Sequence, residues 1–158
     1  MKKKSFAIIG DPVAHSLSPV LHNYWFKKYK IEAEYSLLNV KEKDIESIAV
    51  RIRNGEISGL NVTLPYKQKI IPFIDKLIND AKSTNSVNTI FLDETNTLVG
   101  ENTDVFGLQA AYLKEINEAK NKKALVIGAG GVSPSVIFAL QKSRINNISI
   151  INRTHEKS

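Results

Sequence analysis

Residues 122–154 constrain the fold more than any other part of this chain. Ala124-Leu-Val-Ile127 is a wholly apolar run, the pattern of a strand in a parallel sheet covered on both faces. Gly128-Ala129-Gly130-Gly131 follows at once, then a helical segment to about Leu140, then a strand at 147–151. Strand, glycine-rich turn, helix and strand make a βαβ unit. In such a turn the first glycine makes the bend, the second lets the backbone approach a pyrophosphate, and the third allows close helix packing. Gly128 and Gly130 fill the first two places, Ser133 is a small residue at the third, and Gly131 is an extra flexible position. The free N–H groups opening the helix, from Val132 on, face the phosphates, and Pro134 in the first turn costs no hydrogen bond.

The end of the second strand selects the dinucleotide. An acidic residue there binds a ribose 2′-hydroxyl and so favours NAD. This chain has Asn152-Arg153-Thr154, with Lys157 soon after. Guanidinium, hydroxyl and ammonium groups pair with a 2′-phosphate that a carboxylate would repel, so NADP(H) is the expected cofactor. The predicted cofactor residues are Gly128, Ala129, Gly130, Gly131, Val132, Asn152, Arg153, Thr154 and Lys157.

Upstream, strands and helices alternate. Strands are expected at 5–10, 34–40 and 59–64, and helices at 19–30 and 44–53, the latter with Ile45, Ile48, Ala49 and Ile52 on one face. A short helix is expected near 69–77. Strands at 86–92 and 97–100 flank the polar turn Asp93-Glu-Thr-Asn96 as a hairpin. A helix over 104–118 follows, capped by Asn102, Thr103 or Asp104. The fold class is α/β: a substrate-binding domain with a mostly parallel sheet at 1–102, then the first βαβ unit of a Rossmann-like domain at 103–158.

Four polar clusters stand where strands end: His15-Ser-Leu-Ser-Pro19, Asn61-Val-Thr-Leu-Pro-Tyr-Lys67, Ser86-Val-Asn-Thr89 and Glu101-Asn-Thr-Asp104. Ligands of open α/β sheets bind outside the carboxyl ends of the strands. Hydroxyls, amides, a lysine and an aspartate there suit a polyhydroxylated, anionic small molecule. Each residue also has a structural explanation: Ser18-Pro19 as a helix start, Asp104 as a cap, Asn61 and Asn88 as partners of local backbone.

The order and spacing of Ser16-Leu-Ser-Pro19, Asn61-Val-Thr-Leu-Pro-Tyr-Lys67, Val87-Asn-Thr89, Asn102-Thr-Asp104, Gly128-Ala-Gly-Gly131 and Asn152-Arg-Thr154 resemble the shikimate dehydrogenases across essentially all 158 residues. The resemblance implies NADPH-dependent, reversible reduction of 3-dehydroshikimate to shikimate on the route to aromatic amino acids. It implies that Ser16 and Ser18 hold the substrate carboxylate and that Thr63, Asn88 and Asp104 bind ring hydroxyls. It makes Lys67 the acid/base, paired with Asp104. A dual quinate/shikimate dehydrogenase is the related alternative, and Arg153 speaks against its usual NAD preference. A ligand-binding fragment without catalysis is another.

The chain departs from the family pattern in three places. Asn85-Ser86 replaces the common Gly-Ala, and Asn tolerates the left-handed backbone that such a turn needs. Pro134 stands where a basic residue is frequent. Members of the family continue past position 158, with the rest of the cofactor sheet, a substrate-contacting Gln and a helix returning to the first domain. The 158-residue chain alone is therefore expected to bind shikimate weakly and show no turnover, and its 124–127 strand edge to be prone to aggregation.

Composition narrows the remaining classes. A net charge of +6 is spread over helical faces without an arginine-rich run, so it reads as a lysine-rich surface attracting small anions and not as a nucleic-acid interface. No apolar run reaches the roughly 18 residues of a membrane span, and Phe6-Ala-Ile-Ile9 is too short for the core of a signal peptide. There is no cysteine. The expected setting is the cytoplasm, as monomer or homodimer, with a small-molecule substrate and no metal.

Overall fold

The computed structural model describes residues 3–113 and 122–154. The first part is built on one sheet. Strand β1 (Lys4–Gly10) lies between β2 (Ala33–Asn39) and β3 (Gly59–Val62), parallel to both. Beyond β3 come β5 (Thr89–Leu92), β6 (Leu98–Glu101) and the two-residue β4 (Lys76–Leu77). Three of the five pairings are parallel, and β5 runs antiparallel to both β3 and β6. The 86–92/97–100 hairpin forms as expected, with its strands at β5 and β6 and Asp93 Oδ1 accepting the N–H groups of Thr95 and Thr97 across the turn.

Side chains alternate across β1, and the two helices that follow it cover opposite faces. Ala7 and Ile9 point into the main core with Ile45, Ile48, Ala49 and Ile52 of α2 (Ile45–Arg53), the face read from their spacing. Phe6 and Ile8 point the other way, toward Val13, Tyr35 and Phe26 of α1 (Ser18–Lys28). No residue of α1 is fully buried, and Val20, Leu21, Tyr24 and Trp25 are exposed. At the sheet edge Asn23 of α1 takes the place of a further strand. Its amide donates to Tyr35 O at 2.8 Å and accepts from Tyr35 N at 2.9 Å, satisfying both outward-facing backbone groups of that residue.

One expectation is corrected here. The 69–77 segment is not one helix: a single 3-10 turn at Ile71–Phe73 leads into β4, which pairs with β6. Apolar residues at 70, 71, 73, 74 and 77 mimic a helical period, but Pro72 breaks the ladder of N–H donors. A five-residue helix, α3 (Asp80–Thr84), also forms and is too short to show a period. It ends on Asn85 in the left-handed conformation at φ 47°, ψ 42°, the accommodation expected of Asn at that site.

The second part carries α4 (Asp104–Leu108), which passes into one π-helical turn at Gln109–Leu113. Residues 114–118 of the expected helix lie outside the described residues. Strands β7 (Lys123–Ile127) and β8 (Asn147–Ile151) pair in parallel through α5 (Ser133–Lys142), the βαβ unit read from the sequence. Val105, Leu113, Ala139, Leu140 and Ile145 form a core separate from that of the large sheet. Ala124 and Val126 pack on it, whereas Leu125, Ile127 and Ile151 face outward and are exposed. Among the described residues, the strand expected to be covered on both faces is covered on one.

One exposed ion pair ties α2 to the sheet edge. Both terminal guanidinium nitrogens of Arg53 donate to Asp75, at 2.7 and 2.8 Å, and Asp75 also accepts the Leu98 N–H. These donors, the Arg53 hydrogen bonds first, hold the Asp75 carboxyl down to about 2. The folded state therefore binds this proton less readily than the unfolded chain. The stabilisation is complete above the unfolded value of about 3.9 and is lost as pH falls toward 2. Asp75→Asn should accordingly be less stable than the parent in urea at pH 7, and the difference should shrink between pH 4 and pH 2.

Candidate functional site

Three of the four polar clusters meet at one end of the sheet, in the turns after β3 and β6 and just before β5. Past β3 the chain turns sharply, and Tyr66, almost fully buried, anchors the turn by donating its hydroxyl to Val40 O at 2.6 Å. The next residue, Lys67, is thereby held in place, with its carbonyl accepting Val87 N–H at 2.8 Å. Its side chain is only 10% exposed, and Nζ donates to Asp104 Oδ2 at 2.6 Å. Asp104 opens α4, where the positive end of the helix favours a carboxylate. Its other oxygen accepts Asn88 Nδ2 at 2.8 Å. Lys67, Asn88 and Asp104, predicted from three separate segments, therefore form one bonded cluster.

The remaining predicted substrate residues lie in the turns after β1 and β3 and at the start of α1. Ser16 Oγ donates to Ser18 Oγ at 3.1 Å and accepts Ser18 N–H at 3.3 Å. The N-cap of α1 is Leu17, with no side-chain cap, so Ser18 is not the capping residue of that helix. Thr63, half-buried one residue past β3, keeps its backbone N–H on Ile9 O. Among the described residues no group of three or more His, Cys, Asp or Glu side chains could hold a metal ion.

The glycine turn after β7 has the geometry its composition implies. Gly128 has φ +104°, a conformation that side-chain-bearing residues rarely adopt, and its N–H donates to Ile151 O at 2.7 Å. Ser133 is buried and donates to Gly128 O at 2.9 Å, closing the loop onto the helix as a third glycine would by packing. Gly131 has a different role from the flexibility expected of it. A Cβ there would lie 2.9 Å from Leu64 Cδ2, and its carbonyl accepts Ser86 Oγ at 3.4 Å. The phosphate-type loop is thus pressed against the loops that carry Lys67 and Asn88. Gly130 and Val132 are exposed at the mouth of this turn, beside half-buried Ala129. Asn152 Oδ1 accepts Ala129 N–H at 3.3 Å, bracing the turn from the end of β8, and Arg153 and Thr154 are exposed next to it. Lys157 lies outside the described residues.

Sequence reasoning named Asn102 as one of three possible caps of α4 and missed that it joins the two parts. Asn102 is 3% exposed. Its Nδ2 lies within hydrogen-bonding distance of Thr84 Oγ1 at 3.1 Å, Ser86 O at 2.8 Å and Ser135 Oγ of α5 at 2.8 Å. Its Oδ1 accepts the N–H of Asp104 at 3.0 Å and of Val105 at 3.4 Å, so the side chain that caps α4 is that of Asn102.

Comparison with known proteins agrees with this arrangement. Residues 8–90 match the family model described as shikimate dehydrogenase substrate binding domain, and residues 111–158 match shikimate / quinate 5-dehydrogenase. The chain belongs to the shikimate dehydrogenase family. The NADP(+) shikimate dehydrogenase of Pelagibacter ubique is 48% identical over 156 residues, which are 99% of this chain and 58% of that protein. The Pyrococcus abyssi enzyme of the same name is 43% identical over 98% of this chain and 56% of its own length. The chain thus spans little more than half the length of these relatives. Among solved structures, a shikimate dehydrogenase in complex with NADP+ superposes with a TM-score of 0.88 at 37% identity, over 99% of this chain and 53% of that one. The Thermus thermophilus enzyme in complex with NADP(H) and shikimate gives 0.85 at 32% identity, over 98% and 57%.

Truncating Asn102 leaves several buried partners unpaired at once, each at about 1–3 kcal/mol. Asn102→Ala should lower the stability of the chain by about 2–4 kcal/mol in denaturant titration, well beyond the effect of removing one surface hydrogen bond.

Proposed function

We propose that the protein to which this chain belongs is a cytoplasmic, NADP-dependent shikimate dehydrogenase, reversibly reducing 3-dehydroshikimate to shikimate. The observation that carries the reading is the Lys67–Asp104–Asn88 cluster, joined at 2.6 and 2.8 Å and sheltered from water at the strand ends. The division we propose is a substrate domain at 1–102 and the start of a cofactor domain at 103–158. It is supported by two separate sheets and by the membership of Val105 and Leu113 in the second core.

In this reading Ser16 and Ser18 bind the substrate carboxylate through their hydroxyls, and Thr63, Asn88 and Asp104 bind the ring hydroxyls. Lys67 stands at the reacting oxygen. The ketone oxygen gains a proton from the Lys67–Asp104 pair during reduction, and the alcohol returns it to the same pair during oxidation. The short ion pair fixes the ammonium where that proton is exchanged, and the Asn88 amide keeps the second carboxylate oxygen from rotating away.

NADP(H) fits the residues present. Gly128 makes the turn, the unprotected loop at Gly130 and the opening of α5 offer N–H donors, and Arg153 and Thr154 offer cationic and hydroxyl partners to a 2′-phosphate. When bound, the nicotinamide supplies or accepts the hydride at the carbon bearing the reacting oxygen. The contact between Gly131 and Leu64 supports this assignment, because it brings the dinucleotide turn against the substrate loops.

The full-length protein should oxidise shikimate with NADP+ at least tenfold more efficiently than with NAD+, read as kcat/KM at 340 nm. Equal or greater efficiency with quinate and NAD+ would replace the reading. In the same protein Lys67→Ala should reduce turnover by at least about a hundredfold with little change in NADPH affinity measured by fluorescence titration. Near-normal turnover would remove Lys67 from its role.

A further inference from the structure

The mechanism above uses Lys67, Asp104 and Asn88 but leaves unexplained a line of polar side chains that runs away from them under α1. Asn88 Oδ1, opposite the amide nitrogen that holds Asp104, accepts Thr89 Oγ1–H at 3.0 Å and Thr103 N–H at 3.0 Å. Thr89 Oγ1 in turn accepts Asn61 Nδ2 at 3.2 Å, and Asn61 Nδ2 also reaches Asn88 O at 3.2 Å. Asn61 Oδ1 accepts the Tyr35 hydroxyl at 2.6 Å.

The two amides fix the direction of the line. Asn61 Nδ2 is committed to the Asn88 carbonyl, so Asn61 presents nitrogen to Thr89 and oxygen to Tyr35, whose hydroxyl donates. Thr89 Oγ1 accepts from Asn61 with one of its lone pairs and turns its proton to Asn88. Asn88 presents oxygen to Thr89 and to the Thr103 N–H, and nitrogen to Asp104 and Thr103 Oγ1. Reversing Asn88 would turn its oxygen on Asp104 and its nitrogen on the Thr103 N–H, and reversing Asn61 would set its oxygen against Asn88 O.

Tyr35 is built into place as few residues of this fold are. Its backbone N–H and C=O are both taken by Asn23 at the sheet edge. Its ring stacks on His22 with centroids 4.3 Å apart and planes 7° from parallel. Burial pushes its hydroxyl up to about 12, against a smaller downward pull from Ser18, so the proton that starts the line stays on the phenol at neutral pH. The Ser18 interaction also puts this hydroxyl beside the serines proposed to hold substrate.

We infer that Tyr35 is a positioning residue: its hydroxyl, through Asn61, Thr89 and Asn88, orients the amide that holds Asp104 against Lys67. The inference rests on the function proposed above for the Lys67–Asp104 pair. It assigns Tyr35 and Thr89 no contact with the reacting atoms, and it assigns their hydroxyls, rather than their bulk, the role.

Two conservative cuts in the line test it in the full-length protein. Tyr35→Phe keeps the ring on His22 and removes only the donor. Thr89→Val keeps the shape and removes the link, while Thr89→Ser restores the hydroxyl. Tyr35→Phe and Thr89→Val should each lower kcat for shikimate oxidation about tenfold, the double variant should be no more than about twofold worse than the poorer single, and Thr89→Ser should stay within about twofold of the parent. Unchanged turnover in Tyr35→Phe, or a double variant about a hundredfold down, overturns the inference.

A second readout does not depend on turnover. The Asn88 side-chain amide signal, assigned by its loss in Asn88→Ala, should be protected from hydrogen exchange in the parent. It should shift and lose at least tenfold in protection in Tyr35→Phe. An unmoved Asn88 signal overturns the positioning role. A shifted signal in a protein whose parent form does not turn shikimate over upholds the line of hydrogen bonds and overturns the proposed function instead.

Discussion

The structure turns on the side chain of Asn102. A single buried amide holds the loop after α3, the start of α4 and the flank of α5. Asp104 enters the site only because the backbone at 104 and 105 is bonded to that amide. The glycine turn stays against the substrate loops partly because Ser135 is bonded to it as well. An apolar residue of equal size would fill the same space and hold none of these elements in register. A buried polar group is costly unless its partners are all present, so the joint has essentially one solution. The amide's position sets how the loops that carry Lys67 and Asp104 meet.

The chemistry of the site follows from where the loops arise. Strands β1, β3 and β6 all end on the same side, and each is followed by a turn with side-chain donors or acceptors in it. The cluster that forms is charged and nearly dry. Breaking a buried ion pair by removing one partner costs roughly 3–5 kcal/mol. Lys67 and Asp104 are thus tied to each other thermodynamically as well as chemically. Around them the neutral amides and hydroxyls carry fixed directions and no charge, which orders the pair without competing with an anionic ligand for it.

Much of this was legible in the sequence, and for identifiable reasons. Alternation along β1 and the spacing of Ile45, Ile48, Ala49 and Ile52 report which side of an element meets the core, and that rule is local. The turn at Gly128 and the tolerance of Asn85 for a left-handed backbone are also local, because they concern one residue's own torsions. The motif resemblance marked Lys67, Asn88 and Asp104, and the fold brings them into contact. What the sequence hid depends on partners far along the chain. The 70–77 segment shows a helical period of apolar residues, yet Lys76 and Leu77 pair with β6. Tyr35 looks like an ordinary strand residue, and Thr89 is marked only as part of a polar motif with no role of its own, since aromatic and β-branched types favour strands in any case. Their hydroxyls matter only once β2, β1, β3 and β5 lie side by side in that order. Asn102 was read as one of three possible caps for α4, and its reach to Ser135 has no trace in residue order.

The close approach of Gly131 to Leu64 has a bearing on how this protein can be remodelled. With 2.9 Å between Leu64 Cδ2 and the position of an added methyl group, the two halves approach closely at this point of the seam between them. Ser86 and Asn102 cross the same seam with hydrogen bonds. The halves therefore are not interchangeable modules, even though each has its own sheet and core. A hybrid made by splicing one relative's first half to another's second half at residue 102 inherits a mismatched seam unless positions 64, 86, 102, 131 and 135 travel together. Change across this boundary is confined to coordinated sets, and the individual domains drift freely only on the surfaces that point away from it.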